Sequence, residues 1–362
     1  MPMPGSQEMK SIDIAYFLYH WRWIFRILFI ALAFYTLGEA FSQSKIFPVV
    51  ALLIAAGIAY VINTQMAADS MFLNVKDLQL KNVADSKVET NRLIIGVEYN
   101  GQAKAYPIQY LGYHHQVFDS IAGKKIIVTY CTVCRTGRVF EPIVNGQTES
   151  FRLVGMDHFN AMFEDKATKS WWRQATGEAI AGKLKGQKLP EVHYTQMELK
   201  GWLALHPNSL IMQPDKNFVA EYDGMKNYEA GKSKGGLTKR DTAAWQRKSW
   251  IVGIVVGNES KAYDWMALEK QRVINDVIGS VPIVLVLAND NKSFFAFERK
   301  NDAQQFTLSN DTLKSNQGEY NLSGWLFDLS VSSNLHDHYL KPINAYQEYW
   351  HSWQTFHPET KK

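Results

Sequence analysis

The feature that most restricts how this chain can fold is a repeat inside it. Residues 94–141 align without a gap to residues 251–298, and self-similarity at a constant offset means that one structural unit has been used twice. Gly96, Lys104, Ala105, Tyr106, Leu111, Asp119, Phe140 and Glu141 recur as Gly253, Lys261, Ala262, Tyr263, Leu268, Asp276, Phe297 and Glu298. A related tail closes each stretch, WLALHP from Trp202 and WQTFHP from Trp353. The sequence therefore predicts two tandem, degenerate copies, 90–213 and 249–358, and 362 residues suffice for two cores. The expected organisation is a membrane anchor over 1–68, a first repeat over 69–213, a polar linker rich in Gly, Lys and Asp over 214–248, and a second repeat over 249–362.

Within a copy the patterning predicts an α+β unit, mostly sheet. Residues 92–99 form a β-rich run that Asn100-Gly101 turns back into 102–106. A short helix is expected over 108–116, a buried strand over 125–130, a second hairpin around Asn145-Gly146, and a short helix over 198–205. The segment His336-Asp337-His338 reads as a polar loop.

The N-terminal region follows different physics. Residues 26–41 and 46–62 are two apolar runs joined by a short polar connector, each near the lower limit of about 17 residues for a bilayer span. They predict a transmembrane helical hairpin, with Trp21, Arg22, Trp23 and Arg26 at the interface. Lys10, Arg22 and Arg26 before the first span, and Lys76 and Lys81 after the second, place both ends in the cytoplasm by the positive-inside rule. The bias is small, and a single span would move the soluble part to the periplasmic side. The membrane, in bacteria the inner membrane, is the expected partner. With a net charge of +4 and basic residues interspersed with acidic ones, nucleic acid is not expected.

Core positions should stay apolar in both copies, whereas site positions need survive in only one. Val128 and Tyr130 face Leu285 and Leu287, but Cys131 and Cys134 face Ala288 and Asn291, and His114 and His115 face Gln271 and Arg272. The chemistry is thus expected in the first copy, around Cys131-Thr132-Val133-Cys134, the only two cysteines of the chain. The spacing lets both sulfurs meet one metal ion or one another. A metal site would take Cys131, Cys134 and His114, completed by Met156 or His158, with copper favoured over zinc for a Cys, Met and His set. A dithiol enzyme would use Cys131 to attack and Cys134 to resolve, but no helix is expected after Cys134 to lower its pKa. A third reading is a non-enzymatic binding or scaffold module, its pocket lined by Tyr130, Trp171 and Trp172.

Three motifs carry a resemblance: Tyr113-His114, Tyr130-Cys131-x-x-Cys134, and Asp165, Thr168, Ser170, Trp172 and Gln174 within 164–186. With them the chain resembles the bacterial family known as domain of unknown function 3179. His115 stands where that pattern has Glu, and Lys166 where it has Arg. The resemblance implies that Tyr130, Asp165, Ser170, Trp172 and Gln174 line the site together with the cysteines, and that many relatives are exported. It implies no activity.

Overall fold

The computed structural model describes residues 8–328 and 338–362; His336 and Asp337 lie outside the described residues. The fold is mixed α+β with more strands than helices. The chain divides into two compact units, one from Met1–Leu73, Glu149–Arg173 and Gly177–Lys188, the other from Asn74–Thr148, Gln174–Thr176 and Leu189–Lys362. The stretch delimited from the sequence as the first repeat thus contributes to both.

The first unit begins with the short helix Ile12–His20, followed by Arg22–Gln43 and Ile46–Thr64. These last two are long and apolar enough to cross a membrane. Their side chains are almost wholly exposed, a surface that water would not tolerate. The helices meet through Arg26, which donates to Asn63. The rest of the unit is an antiparallel sheet in the order Ala179–Ala181, Trp171–Arg173, Asn160–Asp165, Phe151–Asp157. Its apolar face, with Met162, Trp171 and Ile180, packs under Ile12, Tyr16 and Tyr19 of the first helix.

The second unit contains one order of elements at two places. Leu93–Tyr99 and Gln102–Pro107 form a hairpin, the helix Ile108–His114 follows, and Gln116–Ile121, Lys124–Cys131 and Thr136–Phe140 make a three-stranded sheet. Trp250–Val256, Glu259–Asp264, Trp265–Gln271, Val273–Ile278, Val281–Leu287 and Phe294–Glu298 run in the same order with the same pairing. Thr195–Glu198 pairs antiparallel with the first hairpin and Ala345–Tyr349 with the second. Each of these tails continues into a seven-residue helix. Matching residues make matching contacts. Lys104 and Tyr106 bind Asp119 at 2.9 and 2.7 Å, and Lys261 and Tyr263 bind Asp276 at 2.6 and 2.9 Å. Gly96 lies flat against the Trp202 indole and Gly253 against that of Trp353, where a Cβ would collide with the ring. His115 and Arg272, each closing its helix, both have a positive φ (63° and 66°).

The segment 214–248, expected as a polar linker, is folded onto this unit. It carries the helices Val219–Gly224 and Lys226–Glu229 and buries Phe218, Tyr222 and Tyr228. Aromatic residues spaced through a polar stretch gave it an apolar side that its composition concealed.

Candidate functional site

The two cysteines sit at the tip of a β-hairpin. Cys131 is the last residue of Lys124–Cys131 and pairs with Thr136, the first of Thr136–Phe140. The four residues between them form the turn, closed by Arg135 in a left-handed conformation (φ 57°). No helix follows Cys134, as its sequence of β-branched residues and glycine indicated. Both cysteines are unoxidised and buried, and the two thiols are hydrogen-bonded to each other.

What buries them comes from more than 90 residues away in the chain. Tyr349 N donates to Cys134 O at 2.9 Å, which docks the junction of Ala345–Tyr349 and Trp350–Phe356 on the turn. Ser352 reaches the Cys134 thiol and donates to Glu348 Oε2 at 2.9 Å. Glu348 Oε1 accepts from Thr136 at 2.8 Å and from Arg138 at 2.6 Å. Lys248 Nζ donates to Val133 O, inside the turn, at 2.7 Å and lies 3.1 Å from His351 Nε2. Tyr228 hydroxyl donates to Thr132 O at 2.9 Å. Arg135 donates to Gln347, Tyr228 O and Glu229 O, its guanidinium 3.7 Å from the centre of the Trp250 ring.

Electrostatics follow from this burial. Desolvation, with the neighbouring Cys131 second, pushes the Cys134 thiol well above its ordinary value. Desolvation also lowers Lys248 to about 8, against the pull of the two sulfurs. His351 falls to about 3, from burial first and the Lys248 charge second, and is neutral. At neutral pH the site therefore holds the Cys134 thiol in its protonated form beside a lysine that gives up its proton easily.

His114 is buried 2.6 Å from the Tyr222 hydroxyl and edge-on to Phe218. Met156 and His158 belong to the first unit, at the end of the hairpin Phe151–Asp157 and Asn160–Asp165. Met156 is exposed, and His158 Nδ1 is 2.6 Å from Asp157 Oδ1. Among the described residues no group of three or more His, Cys, Asp or Glu side chains is placed to hold a metal ion.

Asp165, Ser170 and Trp172, expected to line a pocket, are hydrogen-bonded to one another. The Asp165 carboxylate accepts from Thr168 N and Oγ1, Ser170 N and Trp172 Nε1 at 2.5 to 3.1 Å. A buried acid with all its donors supplied staples a tight turn. Gln174 and Tyr130 lie in the second unit. Gln174 ties the hairpin strands by donating to Thr129 Oγ1 and Thr136 O, both at 3.0 Å. Tyr130 hydroxyl is 3.4 Å from that of Tyr228.

Sequence reasoning missed Lys248, Glu348, His351 and Ser352. A signal was present: aligning the tails on Trp202 and Trp353 sets Glu348 opposite Met197 and Ser352 opposite Gly201. A carboxylate where the other copy buries a methionine needs a partner.

Fold and site together define an α+β protein with a buried Cys-x-x-Cys hairpin and two apolar N-terminal helices. Residues 74–360 match the family described as protein of unknown function (DUF3179), and the chain belongs to that family. Compared with the curated proteins and with the solved structures, it has no match.

Proposed function

We propose that Cys131 and Cys134 form a thiol–disulfide redox centre in a protein anchored to the membrane by the hairpin Arg22–Thr64. The observation that carries this is the placement of Lys248 on the Cys-x-x-Cys turn, 2.7 Å from Val133 O, beside two hydrogen-bonded thiols. A desolvated amine beside a buried thiol is an internal base, since Lys248 is half deprotonated near pH 8. It takes the Cys131 proton, and the thiolate attacks a partner disulfide, releasing one partner thiol. Cys134 then attacks the Cys131 sulfur of the mixed disulfide and displaces the second partner thiol. The balance is two protein thiols and one partner disulfide giving one protein disulfide and two partner thiols. Tyr228 and Lys248 close the turn through single hydrogen bonds, so a local opening of 214–248 gives a partner access. Within this reading the second repeat is a structural copy that supplies the cover of the first.

A second reading keeps the copper expectation in reduced form. Two adjacent thiolates suffice for a two-coordinate copper(I) ion, soft ligands suit it, and the Lys248 ammonium would offset the negative charge of the pair. His114, Met156 and His158 are not needed for it; zinc, which needs four ligands, is disfavoured.

One experiment separates these. The chain is purified without chelator beside Cys131→Ser/Cys134→Ser, its metal content measured, and its thiols titrated in glutathione buffers of graded potential. A reversible two-electron transition absent from the double mutant supports the redox centre. About one equivalent of copper lost in the mutant supports the metal reading. Neither result leaves a binding or scaffold module.

A further inference from the structure

The first unit has a cavity of its own, of about 470 Å³, which is not part of the thiol site. We propose that it holds the phosphate of an anionic membrane lipid, an inference that rests on the membrane anchoring above. Arg22, Arg152 and Lys169 line it. Two acids also face it, and both are spent on Arg152, which pairs with Glu164 at 2.8 Å and Asp69 at 3.0 Å. Trp171 Nε1 holds the second oxygen of Glu164 at 3.1 Å. Among the described residues, Arg22 and Lys169 have no acidic side chain within ion-pair distance and leave the cavity with unmatched positive charge.

Arg22 is also held in place. Its guanidinium lies 4.0 Å from the centre of the Tyr19 ring and donates to Tyr19 O at 2.8 Å. A pre-positioned guanidinium beside a lysine is a phosphate-binding pair. Free phosphate esters share this chemistry, but position favours a lipid. Arg22 is the first residue of the apolar helix Arg22–Gln43, and the exposed Trp21 and Trp23 flank it. The cavity therefore opens where hydrocarbon gives way to headgroups, the depth at which interfacial Trp and Arg reside. Its volume lies within the range of ordinary ligand pockets.

The test is native mass spectrometry of the whole chain, released from nanodiscs of equal phosphatidylglycerol and phosphatidylcholine. The expected result is retained phosphatidylglycerol in at least about tenfold excess, lost in R22Q/K169Q, since each basic side chain near an anionic lipid contributes on the order of fivefold. R22K/K169R keeps both charges and should keep the excess. Equal retention of the two lipids overturns the proposal, as does an excess that survives in R22Q/K169Q or vanishes in R22K/K169R. Binding of glycerol 3-phosphate by detergent-purified protein, without lipid selectivity, overturns the lipid as source. Extraction of the chain by alkaline carbonate would instead overturn the anchoring, whereas a carbonate-resistant chain without lipid selectivity sinks this proposal alone.

Discussion

Two turns of the second unit occupy corresponding places and are closed in opposite ways. The turn after Val281–Leu287 is covered by the tail of the first stretch: Glu198 N donates to Ser293 Oγ at 2.9 Å and Lys292 pairs with Glu198 at 2.6 Å. The turn after Lys124–Cys131 is covered by the tail of the second, through Tyr349, Glu348 and Ser352. Each tail thus caps the other's turn. In one case the capping charge, Lys292, is 41% exposed; in the other Arg138 and Glu348 are 3% and 1% exposed. The scaffold needs only the ordinary surface version. The cysteine turn differs from it by the extra burial and the extra charge.

The largest test of this contrast is to cut both caps. Glu348→Ala takes the 2.6 Å partner from the buried Arg138 and leaves it only Glu191 at 3.9 Å; breaking a buried pair costs up to about 3–5 kcal/mol. Lys292→Ala removes a surface pair worth under about 1 kcal/mol. Denaturant unfolding of the two variants in detergent measures both, and equal losses would erase the distinction between the turns.

Next in size is a pH effect confined to the cysteine side. Burial raises Glu229 from 4.5 to about 7. Between those values the folded chain holds a proton that the unfolded chain has released. The resulting stabilisation is complete below pH 4.5 and is lost as pH rises through 7, on the order of 3 kcal/mol at most. Glu229→Gln should flatten stability across that window, and an unchanged slope in the variant would show that another group causes it. Gly96→Ala and Gly253→Ala probe what the two halves share. Each drives a methyl into a buried indole at a cost of about 1–3 kcal/mol; a thermal shift at one glycine without the other would mean that the two scaffolds are not equivalent.

This pattern also explains how far the sequence could be read. The scaffold was legible because its rules are local and used twice: Gly96 and Trp202, or Lys104, Tyr106 and Asp119, recur with the same spacing as Gly253 and Trp353, or Lys261, Tyr263 and Asp276. The Cys-x-x-Cys turn was legible for the same reason, as a hairpin with no helix after it. The surroundings of the thiols were not. Lys248 and Ser352 arrive through tertiary contacts 114 and 218 residues from Cys134 in sequence, and neither forms a motif with its own neighbours. Of the expected ligands, His114 shares the second unit with the cysteines, whereas Met156 and His158 belong to the first unit. His114 is engaged by Tyr222, which came from a segment read as linker.

The smallest effect bears most directly on the chemistry. If Lys248 is the base, the rate of alkylation of the Cys131 and Cys134 thiols should rise through an inflection near pH 8, where the amine loses its proton. Lys248→Met should abolish that inflection and slow modification at pH 8.5 by about tenfold, less than the roughly 10²–10⁴-fold that a base positioned in an enzymatic transition state contributes. Lys292→Met, at the corresponding edge of the other turn, should leave the profile unchanged. Mass spectrometry of iodoacetamide-treated protein across pH 6–10 follows both variants. The sign matters here. A lysine that merely plugged the turn would, once removed, let reagent in and speed modification at every pH. A lysine that takes the proton slows it, and only above the point where the amine is free.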